Sequence, residues 1–88
     1  MSLFAKQPDR FSETDLDDEI VVMRLDNGEF FSLAGTAAAV WRLIDGTRDR
    51  EALVATLSGQ FDGDPAEIAA DVDEFLSSLR GMGLIAVG

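Results

Sequence analysis

Residues 20–46, IVVMRLDNGEFFSLAGTAAAVWRLIDG, decide the fold of this chain. The first six, Ile20 to Leu25, are rich in β-branched side chains, which are typical of strands. Asp26-Asn27-Gly28 then predicts a tight turn, because asparagine and glycine tolerate positive φ angles. Residues 29–33 return as the partner strand, so the segment predicts an antiparallel hairpin.

Side chains along the returning strand alternate between two faces. Phe31 and Leu33 share one face, whereas Phe30 and Ser32 share the other. An isolated hairpin is only marginally stable in water, so helices are expected to pack on one side of it.

Two short segments after the hairpin have the apolar spacing of helices. The first takes Thr36 as its amino-terminal cap and runs to Ile44. Gly46 is expected to close it by adopting the left-handed conformation. Asp49 is expected to cap the second helix, which reaches about Ser58.

The third helix has the clearest start in the sequence. Asp64 is its cap, and Pro65 occupies the first helical position, where its missing N–H removes no helical hydrogen bond. Glu67 gives a capping-box-like arrangement. Gly81 or Gly83 ends it. An apolar stripe follows its length: Ile68, Val72, Phe75, Leu76, Leu79 and Met82.

The two ends of the chain are less regular. Residues 1–14 contain Pro8 and are expected to form a flexible arm or a short first strand near Phe11. The acidic run 15–19 is interpreted as a solvated loop, since it lacks the spaced ligands and glycine of an EF-hand. Residues 84–87 predict a short strand lying against the hairpin.

This order of elements predicts an α+β, winged helix-turn-helix-like fold, with a short antiparallel β-sheet followed by three α-helices. Residues 1–88 are expected to form a single domain. A domain of this size buries only about 60–65% of its unfolded surface. Its thin core can be reinforced by a partner, which is a first indication of an interaction module.

Composition narrows the possible functions. The 17 acidic and 7 basic residues give a net charge of −10, which disfavours nucleic acids and anionic membranes and attracts basic peptides. No segment approaches the roughly 20 apolar residues of a membrane span, and the start lacks the order of a secretory signal. The protein is therefore expected to be cytoplasmic.

The sequence offers few residues for catalysis. Histidine, cysteine and tyrosine are absent, and no metal or cofactor is expected. Asp45 and Asp49 are interpreted as helix-end residues and not as an acid/base pair. Serines 58, 77 and 78 have no histidine to activate them, and Lys6 is the only lysine. The chain is therefore not expected to be an enzyme.

Trp41 and the arginines each allow two interpretations. Trp41 is interpreted as a core residue, with the wall of a peptide groove as the alternative. Arg42, Arg48, Arg50 and Arg80 are interpreted as neutralising local carboxylates, with a patch that receives an acidic peptide as the alternative.

Strand 29–33 is the most informative candidate site. If it lies at a sheet edge, its unpaired N–H and C=O groups can receive an extended peptide. Alternatively, the amino-terminal arm or the carboxy-terminal tail covers this edge, and the sequence leaves both possibilities open.

Residues 25–33 and 36–46 together resemble the PqqD family. In that family a strand leads into a helix that closes on I-W-x-L-x-D-G, and here the matching residues are Val40-Trp41-Arg42-Leu43-Ile44-Asp45-Gly46. Residues 49–53 and 64–79 resemble the second and third helices of the family. The likeness covers residues 15–87.

The resemblance implies a peptide-recognition element that binds the leader of a ribosomally made precursor peptide. The leader would add as a strand beside residues 29–33 and lie against helix 68–79. Ala34 departs from the family, which often has asparagine there. The implied peptide-binding residues are Glu29, Phe30, Phe31, Ser32, Leu33, Asp71, Phe75, Ser78 and Met82, the last four chosen by helical spacing.

A separate enzyme would modify the bound precursor. The family implies either a radical-SAM enzyme, as in pyrroloquinoline quinone and mycofactocin maturation, or a leader peptidase and cyclase, as in lasso-peptide pathways. The domain would be a monomer or a strand-exchanged dimer. Three other functions remain as alternatives. A winged-helix DNA-binding regulator is disfavoured by the acidic third helix, and a carrier protein is disfavoured because the sequence lacks an attachment serine motif. The third alternative is a purely structural subunit.

Overall fold

The computed structural model describes residues 3–87 of the chain. Residues 1, 2 and 88 of the predicted domain and arm lie outside this range. The α+β prediction, a short antiparallel sheet followed by three helices, is confirmed. The elements are β1 (Phe4–Lys6), a 3-10 turn (Pro8–Arg10), β2 (Phe11–Asp15), β3 (Glu19–Arg24), β4 (Phe30–Ala34), α1 (Gly35–Leu43), α2 (Arg50–Gln60), α3 (Pro65–Gly81) and β5 (Ile85–Val87).

The strands form two antiparallel sheets. β2, β3 and β4 make a three-stranded meander in that order, and β1 pairs with β5 in a second sheet. The prediction that the carboxy-terminal tail lies against the hairpin is therefore wrong. Its partner is β1, with Phe4 opposite Val87 and Lys6 opposite Ile85, and this pairing buries Phe4 and Ile85 in the core.

The hairpin loop is longer than the predicted tight turn. It spans residues 25–29, and Gly28 has a φ of 73°. The side chain of Asn27 accepts a hydrogen bond from the N–H of Glu29 at 3.0 Å, which takes that N–H out of the ladder with β3. Glu29 and Leu25, predicted as strand residues, consequently lie in the loop, and β4 begins and ends one residue later than predicted.

Side-chain caps start two of the three helices. Asp49 accepts a hydrogen bond from the N–H of Ala52 at 2.8 Å, and Asp64 accepts one from Ala66 at 2.9 Å, which confirms both predicted caps. The predicted cap at Thr36 is wrong. α1 begins at Gly35, after an extended residue, so Thr36 lies inside its first turn.

The core lies between the inner face of the meander and the three helices, and its largest side chain is Trp41. The indole is fully buried and donates a hydrogen bond to Oε2 of Glu13 at 2.7 Å, and the ring of Phe11 meets it edge-on. The interpretation of Trp41 as a core residue is confirmed. None of the helices within residues 3–87 is long and apolar enough to cross a membrane.

Candidate functional site

The meander has two outer strands, and they differ in charge. On β2, Glu13 and Asp15 point toward the helices, where Glu13 meets Trp41 and Asp15 pairs with Arg42. Charged side chains pointing inward on an outer strand oppose the addition of another strand. β4, with the sequence FFSLA, carries no charged residue. Of the two edges, β4 is therefore the one suited to receive an extended peptide.

The main chain of β4 offers hydrogen-bonding groups on its outer side. The N–H of Arg24 donates to the carbonyl of Glu29 at 2.7 Å, which fixes the phase of the antiparallel ladder. Phe31 and Leu33 accordingly bond to β3. Phe30 and Ser32 direct their N–H and C=O groups away from it, and Ala34 directs its N–H away, while its C=O stands at the N-cap of α1. In residues 3–87 no strand pairs with this side. We call these outward main-chain groups of Phe30, Ser32 and Ala34 the open edge.

The strand pairing decides whether an end of the chain covers β4, which the sequence left open. The amino-terminal strand β1 and the tail strand β5 pair with each other, and β2 pairs with β3 on the far side of the meander. Within the described residues, neither end of the chain covers β4.

The side chains of β4 alternate as the sequence predicts. Leu33 is buried, and Phe31 is half-buried against the core. Phe30 is 74% exposed on the other face and lies opposite Met23, which is 38% exposed. A strand added to the open edge would therefore meet apolar side chains on both of its faces.

The exposed side of α3 carries the second part of the candidate site. Asp71, Glu74, Phe75 and Ser78 line a shallow depression, which we call the Phe75 flank. Phe75 is half-buried and packs against the same core as Phe31. The open edge and the Phe75 flank thus border one apolar core.

Of the four site residues predicted on the third helix, three lie together and one lies apart. Asp71, Phe75 and Ser78 are brought together, whereas Met82 follows the end of α3 and does not line the depression. Sequence reasoning missed Glu74, although its spacing from Asp71 and Ser78 places it on the same side of the helix. It also missed the main chain of Ala34, because β4 was predicted one residue too early.

Ion pairs neutralise several arginines elsewhere on the surface. Arg42 pairs with Asp15, Arg48 with Asp45 and Arg50 with Asp73, as the sequence interpretation expected for these three arginines. Hydrogen bonds from Arg42 hold the pKa of Asp15 below its usual range, and hydrogen bonds from Arg50 do the same for the pKa of Asp73.

The carboxylates considered for acid/base chemistry serve the local structure. Asp45 accepts hydrogen bonds from the N–H and hydroxyl of Thr47 and from Arg48, and these interactions lower its pKa. Asp49 caps α2. Both therefore act at helix ends, as interpreted from the sequence.

Comparison with solved structures gives close matches in fold. A structure of TbiB1 in complex with the TbiA(beta) leader peptide is similar with a TM-score of 0.81 and 23% identity, over 92% of this chain and 93% of that chain. A lasso peptide synthetase B1 complexed with the leader peptide gives 0.79 and 19%, over 94% and 96% of the two chains. The heterocyclase TruD gives 0.67 and 18%, with all of this chain matching 12% of that one.

Comparison of the sequence gives one further result. No curated protein matches it. The sequence model of the PqqD family, described as coenzyme PQQ synthesis protein D, matches residues 19–85. This match spans β3, β4, all three helices and the first residue of β5, so it includes both the open edge and the Phe75 flank. The chain belongs to the PqqD family.

Proposed function

We propose that this protein binds the leader of a ribosomally made precursor peptide by adding it as a strand to β4. It presents the precursor to a separate modifying enzyme and performs no chemistry itself. The observation that carries the proposal is the uncharged open edge of β4, which borders the same core as the Phe75 flank.

The fold likenesses support a peptide as the ligand. TbiB1 and the lasso peptide synthetase B1 are both in complex with leader peptides. The third similar structure is a heterocyclase, in which the matching region is a small part of a longer chain. The likeness to these proteins supports the proposal that this domain acts together with an enzyme that modifies or processes the peptide.

Strand addition suits a ligand whose side chains vary. Main-chain hydrogen bonds to the open edge give affinity for any extended segment, and alternate side chains give specificity. Binding raises the effective concentration of the precursor near the enzyme, so the enzyme alone needs catalytic residues.

The enzyme partner is proposed to be either a radical-SAM enzyme or a leader peptidase with a cyclase. The likeness to a lasso peptide synthetase component supports the second pair. Co-purification of the tagged protein with each enzyme encoded beside its gene, with and without leader peptide, tests which enzyme associates.

The peptide-binding proposal is tested by titrating the isotopically labelled protein with the synthetic leader of the precursor encoded beside its gene. We expect amide shifts at Phe30, Ser32 and Ala34, and none with a scrambled leader. Ser32→Pro should weaken binding because it removes an N–H of the open edge, whereas Ser32→Ala should bind normally. Saturating leader that shifts no amide of β4 would overturn the proposal.

A further inference from the structure

We propose that the leader bound by this protein carries a basic residue two positions from an apolar residue. The apolar side chain covers Phe75, and the basic side chain lies between Asp71 and Glu74. This inference rests on the proposed function and specifies the class of peptide that the site selects.

The two sides of α3 differ in how their carboxylates are neutralised. On one side Asp73 accepts two hydrogen bonds from Arg50, so its charge already has a partner. On the other side Asp71 and Glu74 lie in the Phe75 flank, and within residues 3–87 the structure records no ion pair for either of them. The flank therefore presents uncompensated negative charge to a ligand.

Apolar surface adjoins those charges. Phe75 is half-buried, so its outer side is available to an aliphatic or aromatic side chain of a ligand. Lysine and arginine can cover apolar surface with their methylene stems and place the charged group in water. A basic residue next to an apolar one matches both features of the flank.

The spacing of the two peptide residues follows from the geometry of a strand beside a helix. Asp71 and Phe75 are one turn apart, about 6 Å along the helix axis. Residues i and i+2 of a strand point to the same face and are about 6.6 Å apart. A leader strand aligned with α3 can therefore place residue i on Phe75 and residue i+2 at Asp71.

A second depression on α3 has a different chemistry. It lies on the other side of α3 and is lined by Phe4, Leu76, Ser77, Arg80, Gly81 and the Arg50–Asp73 pair. Arg50 and Asp73 already neutralise each other, and the remaining charge in the lining is the positive one of Arg80, for which residues 3–87 record no ion pair. The difference in sign favours the Phe75 flank for selecting a basic residue.

A peptide-display selection tests the inference. A random peptide library is selected on the unmodified protein, on Asp71→Lys/Glu74→Lys, and on the control Asp18→Lys/Asp62→Lys. The control changes two exposed carboxylates outside the flank and alters the net charge equally. We expect lysine or arginine two positions from an apolar residue on the unmodified and control proteins, and aspartate or glutamate at that position on the flank variant.

The strength of the preference is measured on one selected peptide. Replacing its basic residue by alanine, or using Asp71→Asn/Glu74→Gln, should weaken binding about three- to tenfold, since exposed ion pairs are individually weak. Combining the alanine peptide with the Asp71→Asn/Glu74→Gln variant should weaken binding little more than either change alone, because both remove the same contacts.

Two outcomes separate this inference from the proposed function. If peptides bind and slow amide exchange at Phe30 and Ser32, yet show no basic residue or keep it on the flank variant, this inference alone is overturned. If no peptide is selected, or none affects β4, the proposed function and this inference both fail. Amide spectra of each variant confirm that it is folded.

Discussion

Trp41 shows how one side chain connects the sheet to the helices. Its ring fills the core, and its N–H reaches the carboxylate of Glu13 on β2. Lys6 lies 4.8 Å from the ring centroid, and desolvation by burial lowers the pKa of this lysine. A single indole thus fills the core and gives the carboxylate of Glu13 a hydrogen-bond partner.

Trp41→Phe is expected to reduce the free energy of unfolding by about 1–3 kcal/mol, since it leaves a cavity and removes the partner of Glu13. Glu13→Gln is the matched control, because its amide oxygen can still accept the indole hydrogen bond. Urea unfolding measures both variants. Equal losses in the two would contradict a specific role for the N–H contact.

Phe30 is proposed to contribute to leader binding and not to the stability of the fold. It is 74% exposed and has only Met23 opposite it on the outer face. Phe30→Ala should leave the free energy of unfolding within about 0.5 kcal/mol. It should weaken leader binding about two- to fivefold through loss of cross-strand contacts.

Leu16→Ala is the control for Phe30→Ala, since Leu16 is also exposed but lies in the loop between β2 and β3. Calorimetric titration with the leader compares the two variants. A loss of affinity in Leu16→Ala of the same size would show that general surface hydrophobicity, and not the open edge, governs binding.

β4 is the element whose hydrogen bonding can be read directly in solution. In the ligand-free protein, the amides of Phe31 and Leu33 should exchange with solvent slowly because they bond to β3, whereas those of Phe30, Ser32 and Ala34 should exchange fast. Hydrogen exchange followed by NMR distinguishes the two sets. Similar protection of both sets would mean that something covers the open edge, for example a second copy of the chain.

The helices could be predicted from the sequence because their signals are local. Asp49 and Asp64 cap the helices that follow them, and the apolar stripe of α3 needs no information from elsewhere in the chain. The pairing of β1 with β5 could not be predicted in this way. Each has three residues, and their partners lie at opposite ends of the sequence, so neither periodicity nor turn chemistry indicates the contact.

The candidate site was predicted in outline and missed in detail. The hairpin signal located the strand. The side chain of Asn27, however, accepts a hydrogen bond from the N–H of Glu29, so β4 begins one residue later than predicted. The helical spacing places Asp71, Phe75 and Ser78 on one side of α3, where they line the same depression, whereas Met82 belongs to the turn after α3. Short-range side-chain hydrogen bonds of this kind decide where a strand begins and are not visible in a hydrophobic pattern.

At the scale of the whole molecule, three ion pairs connect parts of the surface: Arg42 to Asp15, Arg48 to Asp45 and Arg50 to Asp73. Each aspartate has a pKa below its usual range, chiefly through hydrogen bonds from Arg42, Thr47 and Arg50 respectively. Because the folded pKa values are the lower ones, the stabilisation is present above the unfolded value, about pH 4. It is lost as the pH falls through the folded values.

Asp15→Asn/Asp45→Asn/Asp73→Asn should therefore be less stable than the unmodified protein at pH 6, and the difference should shrink below about pH 4. Urea unfolding across a pH series measures the difference. Asp9→Asn/Asp18→Asn/Asp62→Asn is a control with the same change in net charge, at exposed carboxylates for which residues 3–87 record no ion pair. A difference that persists unchanged in strong acid would show that the three carboxylates do not act through their charge.

The β1–β5 pair has a consequence for how such a domain can be combined with other chains. Phe4 lies directly opposite Val87, and cross-strand neighbours of this kind have Cα atoms about 5 Å apart. A polypeptide can thus enter and leave the domain at nearly one point on its surface, on a different sheet from β4. The domain is therefore suited to insertion into a longer protein, or to circular permutation through a short connector. Neither change would interrupt the strand that is proposed to receive the peptide.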